Sequence, residues 1–161
     1  MNVELLSALN KQLNQELRNA YLYLSMAAYF DSISLSGFAH YFKMQAKEEL
    51  EHALKIYEHV IDRGQKVELY DVILEKKNWN SVLEAIKDFY EAEVSNTQRI
   101  WRLVDLARSV GDKATETFLQ WFINEQVEEE KQAMELLAKA EMIGNNIAGL
   151  LMLDRMLAER K

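Results

Sequence analysis

The chain has 161 residues, 49% hydrophobic and 28% charged, with a formal net charge of −7, no proline, no cysteine and five glycines. This composition excludes disorder, a disulfide framework, a thiolate metal site and a thiol nucleophile, and its acidity argues against nucleic-acid binding by the chain as a whole. Soluble domains average roughly 5% proline and 7% glycine; a chain this poor in both makes few turns, so a few long helices fit it better than βα units or a β-sandwich.

The first predicted helix covers about 3–32, with the stripe Leu6, Leu9, Leu13, Glu16, Ala20, Tyr23, Ala27, Phe30 at 3/4 spacing. A second over about 36–63 carries Phe38, Phe42, Gln45, Glu49, His52, Ile56 and Val60 on one face. A third over about 80–110, capped by Asn80 or Ser81, carries Leu83, Ile86, Tyr90, Glu93, Thr97, Ile100, Val104 and Ala107. A fourth over about 112–142 carries Leu119, Phe122, Gln126, Glu129, Ala133, Leu136 and Ala140, and a short fifth runs over about 145–160. Gly37, Gly64, Gly111 and Gly144 fall at the breaks and are expected to end helices in the left-handed conformation. Four amphipathic helices of matched length make an all-α four-helix bundle, expected to form one domain over 1–161.

Residues 65–79 are too long for a tight turn between antiparallel neighbours. A helix of about 28 residues spans roughly 42 Å, and fifteen extended residues reach at most about 50 Å. The segment can therefore travel the whole bundle and leave the second and third helices parallel. Val67, Leu69, Val72, Ile73 and Leu74 make it partly apolar, so it is expected to lie on this bundle or on a second subunit. No apolar run approaches the ~18 residues of a membrane span. Glu4 and Lys11 interrupt Met1 to Leu13 where a signal peptide would be apolar. A soluble, cytoplasmic protein without a membrane partner is expected.

Each long stripe holds an acid where periodicity asks for an apolar residue: Glu16, Glu49, Glu93 and Glu129, with His52 three residues after Glu49 on the same face. One glutamate on such a stripe reads as a boundary residue reaching solvent. Four at mid-height, one per helix, cost several kcal/mol per ion through desolvation and repel one another. They either hold protons or surround metal. A glutamate-rich set with one imidazole suits iron, manganese or zinc better than magnesium or calcium. Di-iron bundles use two Glu-x-x-His pairs; this chain has one, Glu49 to His52, and reads Gln126-x-x-Glu129 on the fourth helix. The second metal would then have an oxygen-only shell, suited to an ion that is oxidised and leaves.

The motifs LNQELRNAYLYLSMA (13–27), QAKEELEHALKIYEHVIDRG (45–64) and FLQWFINEQVEEE (118–130) resemble those of the non-haem ferritins of bacteria and archaea, over the whole chain. The resemblance implies a ferritin-like bundle with one long crossover and a ferroxidase centre. Glu16, Glu49 and His52 would bind a first iron. Glu49 would bridge to a second held by Glu93 and Glu129, with Gln126 as a weaker oxygen ligand or hydrogen-bond partner. Tyr23 matches a tyrosine beside that centre, with plain core packing as the alternative. Glu48, Glu125 and Glu128, sharing Glu129, match a third iron site; a solvated charge run explains the same spacing. Leu50 stands where bacterioferritins carry a haem-ligating methionine, so no haem is expected. The absence of cysteine excludes the iron module of rubrerythrins.

The resemblance further implies an iron-storage subunit that oxidises Fe(II) with dioxygen or peroxide and keeps Fe(III) mineral in a hollow homo-oligomer of 24 subunits. The apolar fifth helix, with Ile147, Leu150, Leu151, Met152, Leu153, Met156 and Leu157, points independently to contact with another subunit. Gly149 in that helix is expected to allow close packing there. The alternatives are a soluble di-iron oxidase or peroxidase without storage and a metal-free structural bundle.

Overall fold

Five helices account for most of the computed structural model, which describes residues 1–161: α1 (Val3–Ser32), α2 (Ser36–Asp62), α3 (Val82–Ser109), α4 (Lys113–Ile143) and α5 (Ile147–Leu157), with no strand. The expected all-α bundle is therefore observed, with ends moved by a residue or two and α5 shorter at both ends than expected. Side chains set four of the starts: Asn2 Oδ1 accepts from Leu5 N at 3.0 Å, Ser81 Oγ from Glu84 N at 3.1 Å, Asp112 Oδ1 from Thr115 N at 2.9 Å and Asn146 Oδ1 from Gly149 N at 2.8 Å. Each satisfies a backbone N–H that the helix itself cannot pair.

The fifth start differs. Leu35 offers α2 no side-chain cap, and Phe38 N instead donates to Asp154 Oδ1 of α5 at 2.8 Å. Gly37 does not end α1, contrary to the expectation from its position. Gly64, Gly111 and Gly144 have positive φ at helix ends, but the left-handed residue between α1 and α2 is Ser34, at φ 62°. Gly37 lies inside the first turn of α2 and serves a different purpose: a Cβ there would fall 1.7 Å from the Asp154 carbonyl oxygen. Its bare Cα lets α5 dock end-on against α2. A Cβ on Gly149 would sit 3.3 Å from the Ile143 side chain of the same chain.

Two apolar clusters hold the bundle. One joins the end of α1, the starts of α2 and α3, the end of α4 and Leu153 of α5, around Phe30, Phe38, Phe42 and Phe89. The other joins the start of α1, the ends of α2 and α3 and the start of α4, around Leu9, Ile56, Val104 and Phe122. The starts of α2 and α3 share one cluster and their ends the other, so the two helices run parallel. The crossover between them is fastened to α1 by two asparagines. Asn10 donates to Lys66 O and accepts from Glu68 N; Asn14 donates to Glu68 O and accepts from Tyr70 N, at 2.8–3.2 Å. Val67 packs on the bundle, whereas Leu69 and Ile73 are exposed. Between the two clusters lies a polar waist.

Candidate metal centre

Each of the four long helices sends side chains into the waist. Glu16, Gln45, Glu49, Glu93, Asn96, Gln126 and Glu129 are all at most 1% exposed, and His52 is 4% exposed. The heptad-like spacing that builds the two apolar clusters continues through the waist, so these polar residues occupy core positions.

Glu16, Glu49 and His52 come together. His52 Nδ1 lies 3.4 Å from Glu49 Oε2 and 3.7 Å from Glu16 Oε2. All three of these atoms are buried and none makes an aligned hydrogen bond. Buried polar atoms in native proteins are nearly always paired; three unpaired and facing one another are what a cation would satisfy. Glu49 also belongs to a second group with Glu93 and Glu129, whose carboxylate oxygens lie within 4.8 Å of one another. It is the carboxylate common to the two groups.

An amide network fixes the outer oxygens. Gln12 Nε2 and Asn96 Nδ2 donate to Glu16 Oε1 at 3.1 and 3.2 Å, and Asn96 also donates to Gln126 Oε1 at 3.2 Å. Gln126 Nε2 lies within 3.1–3.3 Å of Thr97 Oγ1 and of the Glu93 carbonyl and Oε2. Gln45 Nε2 donates to Glu129 Oε2 at 2.6 Å, and Tyr23 donates its O–H to Glu93 Oε1. Gln12 and Asn96 escaped the sequence reading, because an amide beside an apolar stripe looks like an ordinary surface residue. Their signal was position: Asn96 adjoins the stripe at Thr97, and Gln12 sits one turn before Glu16.

Burial governs the charge. It is the chief cause raising Glu49 well above the usual carboxylate range, helped by the Glu16 and Glu93 charges. Burial likewise lifts Glu93 to about 7, partly opposed by the Tyr23 hydrogen bond, and Glu129 to about 10, reinforced by Glu93 and Glu48. Glu16 moves the other way: burial opposes its ionisation, but the Glu49 carboxyl and the His52 imidazole beside it, with Asn96 donating to Oε1, outweigh it. For His52, burial disfavours the cation and Glu16 more than restores it. Without metal, burial therefore favours protons on Glu49 and Glu129 and leaves Glu93 close to half-protonated at neutral pH, while Glu16 and His52 favour their charged forms.

The remaining candidates are more dispersed. Glu125 approaches His52 Nε2 at 4.0 Å and forms a third group with His52 and Glu129. Glu48 lies close enough to Glu129 to affect its ionisation and pairs with Arg160 at 3.0 Å. Glu128 is exposed and joins no such group. Trp121 stands edge-on to His52 at 5.4 Å with Lys55 over its face, fixing the imidazole plane. A cavity of about 450 Å³, lined in part by Glu48, Glu51, His52 and Glu125, opens the centre to solvent on this side. His59 stacks on Phe118 and His40 meets the Arg160 carbonyl, both outside the waist.

The chain as a whole is similar to known proteins. A family model described as "Ferritin-like domain" matches residues 6–143. A bacterial non-heme ferritin of Staphylococcus epidermidis is 42% identical over 160 residues, covering 99% of this chain and 96% of that protein. One from Staphylococcus aureus is 40% identical over the same extent. Among solved structures, an open pore ferritin from the hyperthermophilic archaeon Archaeoglobus fulgidus superposes with a TM-score of 0.99 at 45% identity, covering 100% of this chain and 99% of that one.

Proposed function

Since the chain belongs to the ferritin family, with non-haem ferritins of bacteria and archaea as its relatives, we propose that it is an iron-storage subunit that oxidises Fe(II) at the waist and keeps Fe(III) as mineral inside a hollow homo-oligomer. The observation that carries this reading is the trio of buried, unpaired ligand atoms on Glu16, Glu49 and His52, joined through Glu49 to Glu93 and Glu129.

In this reading iron is substrate and cargo. Glu16, Glu49 and His52 bind one Fe(II), and Glu49, Glu93 and Glu129 bind another, with Gln126 beside the second. Binding displaces the protons that burial holds on Glu49, Glu93 and Glu129. Each Fe(II) gives up one electron. Dioxygen takes the two electrons and two protons and leaves as hydrogen peroxide; hydrogen peroxide in its place takes the same and leaves as two waters. The protein supplies spacing, dryness and proton exchange. An all-oxygen second shell lets ferric product depart. Glu125, Glu48 and Glu128, with Glu129, form the proposed third site, reached through the cavity beside His52.

The proposal places the protein in the cytoplasm as a shell of 24 subunits, with no haem. The exposed Ile147, Leu151, Met152 and Met156 of α5 support subunit contact, and no helix is long and apolar enough to cross a membrane. Aerobic addition of Fe(II) to iron-free protein, followed by absorbance and size-exclusion chromatography, tests it. Iron far in excess of the binding sites should remain soluble with the particle. Saturation at a few irons per chain leaves an oxidase without storage, and oxidation at the buffer rate removes both readings. Glu49→Ala should reduce oxidation to the buffer rate while the shell still assembles.

A further inference from the structure

On the far side of the waist from His52, Gln12 separates Glu16 from a second cavity between α1 and α3. It measures about 300 Å³, and its charged lining residues are Lys11, Arg99 and Arg102; no carboxylate lines it. In a chain with 26 acids and 19 basic residues, three cations around one acid-free cavity are unusual. Lys11 and Arg102 are exposed at its rim, and Arg99 is half-buried.

Arg99 carries the strongest demand. Its Nε is buried with no hydrogen-bond partner, an arrangement that costs more for a charged donor than for a neutral one. Burial is the chief cause disfavouring its guanidinium; Glu16, Tyr23 and Glu93 act in its favour from a distance, and the Arg102 charge acts against it. The neutral amides in the cavity wall are committed elsewhere: Gln12 Nε2 to Glu16 and Asn96, and Gln15 Nε2 to Asn19. The donors left for a ligand are those of the three cations and one N–H of Gln15. Two planar guanidinium forks and an ammonium suit an anion with several acceptor oxygens and more than one charge.

We propose that the cavity between α1 and α3 is a binding site for a small multivalent oxyanion of the inorganic phosphate class, held by Arg99, Arg102 and Lys11. The ligand accepts from the terminal guanidinium N–H groups of Arg99 and Arg102 and offsets the repulsion between them. It lies one side chain from Glu16, so its charge is felt at the waist through Gln12.

The test uses the iron-free full chain, so that phosphate has no bound iron or mineral to bind, and its outcome is independent of the ferroxidase reading. Inorganic phosphate is titrated calorimetrically and by thermal unfolding at neutral pH, against sodium chloride at equal ionic strength. Phosphate should bind and raise the unfolding temperature where chloride does not. Arg99→Gln with Arg102→Gln should weaken binding by roughly tenfold or more, the scale of losing two charge-assisted contacts. The charge-matched pair Lys77→Gln with Lys87→Gln, on exposed lysines, should leave binding unchanged. A tungstate-soaked crystal of the unaltered chain gives an answer that does not depend on variant folding: its anomalous peak should lie between Arg99 and Arg102. No phosphate effect beyond chloride, equal loss in both variant pairs, or a tungstate peak elsewhere overturns the proposal.

Discussion

The phenol of Tyr23 on α1 donates to Glu93 Oε1 on α3 at 2.5 Å, across a waist where neither residue is accessible to water. The ring itself is held by Phe89 edge-on at 5.2 Å and by Phe42 at 6.2 Å. Tyr23→Phe keeps that packing and removes only the hydroxyl. The metal-free protein should lose about 1 kcal/mol, the usual net value of one hydrogen bond. Initial Fe(II) oxidation in stopped flow should slow several-fold, because Glu93 loses the donor that favours its ionised, ligating form. An unchanged rate would reduce Tyr23 to core packing.

The metal-free protein should become less stable as pH rises. Glu93, at about 7, and Glu129, at about 10, sit above the ordinary carboxylate value of 4.5, and Glu49 and His52 are also raised. For a raised group, stability is fully present below the unfolded-state pKa and lost as pH climbs through the folded-state one. The window therefore opens near 4.5, passes through about 7 and extends towards 10. Of the opposing groups with lowered values, Glu16 and Asp112 act at more acid pH, and His59, lowered by burial, offsets part of the slope only up to its ordinary value of 6.5. Unfolding temperature measured from pH 5 to 9 should fall by several degrees, and Glu129→Gln should flatten the upper part of that slope.

Metal loading should release protons. At pH 7 a divalent cation entering among Glu49, Glu93 and Glu129 displaces protons that burial has stabilised. Calorimetric titration of Zn(II), which cannot be oxidised, in buffers of different ionisation enthalpy should show net proton release and an apparent affinity that increases with pH. A heat independent of the buffer would mean that the glutamates are already ionised.

Gly37→Ala should destabilise the protein, although alanine in place of glycine within a helix ordinarily helps by roughly 0.5–1 kcal/mol. The added methyl would collide with the Asp154 carbonyl and lever α5 off the start of α2. Asp154→Ala removes only the carboxylate that accepts from Phe38 N and should cost about 1 kcal/mol. Limited proteolysis should therefore cleave α5 faster in the Gly37 variant than in the Asp154 one. Equal protection of α5 in Gly37→Ala and the unaltered chain would contradict the close docking.

Most of the bundle was legible because its rule is periodic. Glu16, Glu49, Glu93 and Glu129 stood out as acids on apolar stripes, and the length of 65–79 dictated a parallel α2 and α3. What escaped depends on residues distant in sequence. The function of Gly37 requires Asp154, which arrives from the other end of the chain. The crossover is held by Asn10 and Asn14, whose side-chain amides pair with backbone at 66–70; nothing local marks those two asparagines among their neighbours. The left-handed Ser34 was hidden because glycine is the expected residue for that conformation and one lay three positions away.

The two apolar clusters, one at each end of the bundle, give the waist a freedom that its burial alone would deny. Cohesion resides in Phe30, Phe42 and Phe89 on one side and in Leu9, Ile56 and Phe122 on the other, so the residues between them are spared from holding the helices together. An evolving lineage can exchange a ligand there, as Glu129 stands where the two-pair di-iron pattern has its second histidine, and change the chemistry without rebuilding the scaffold.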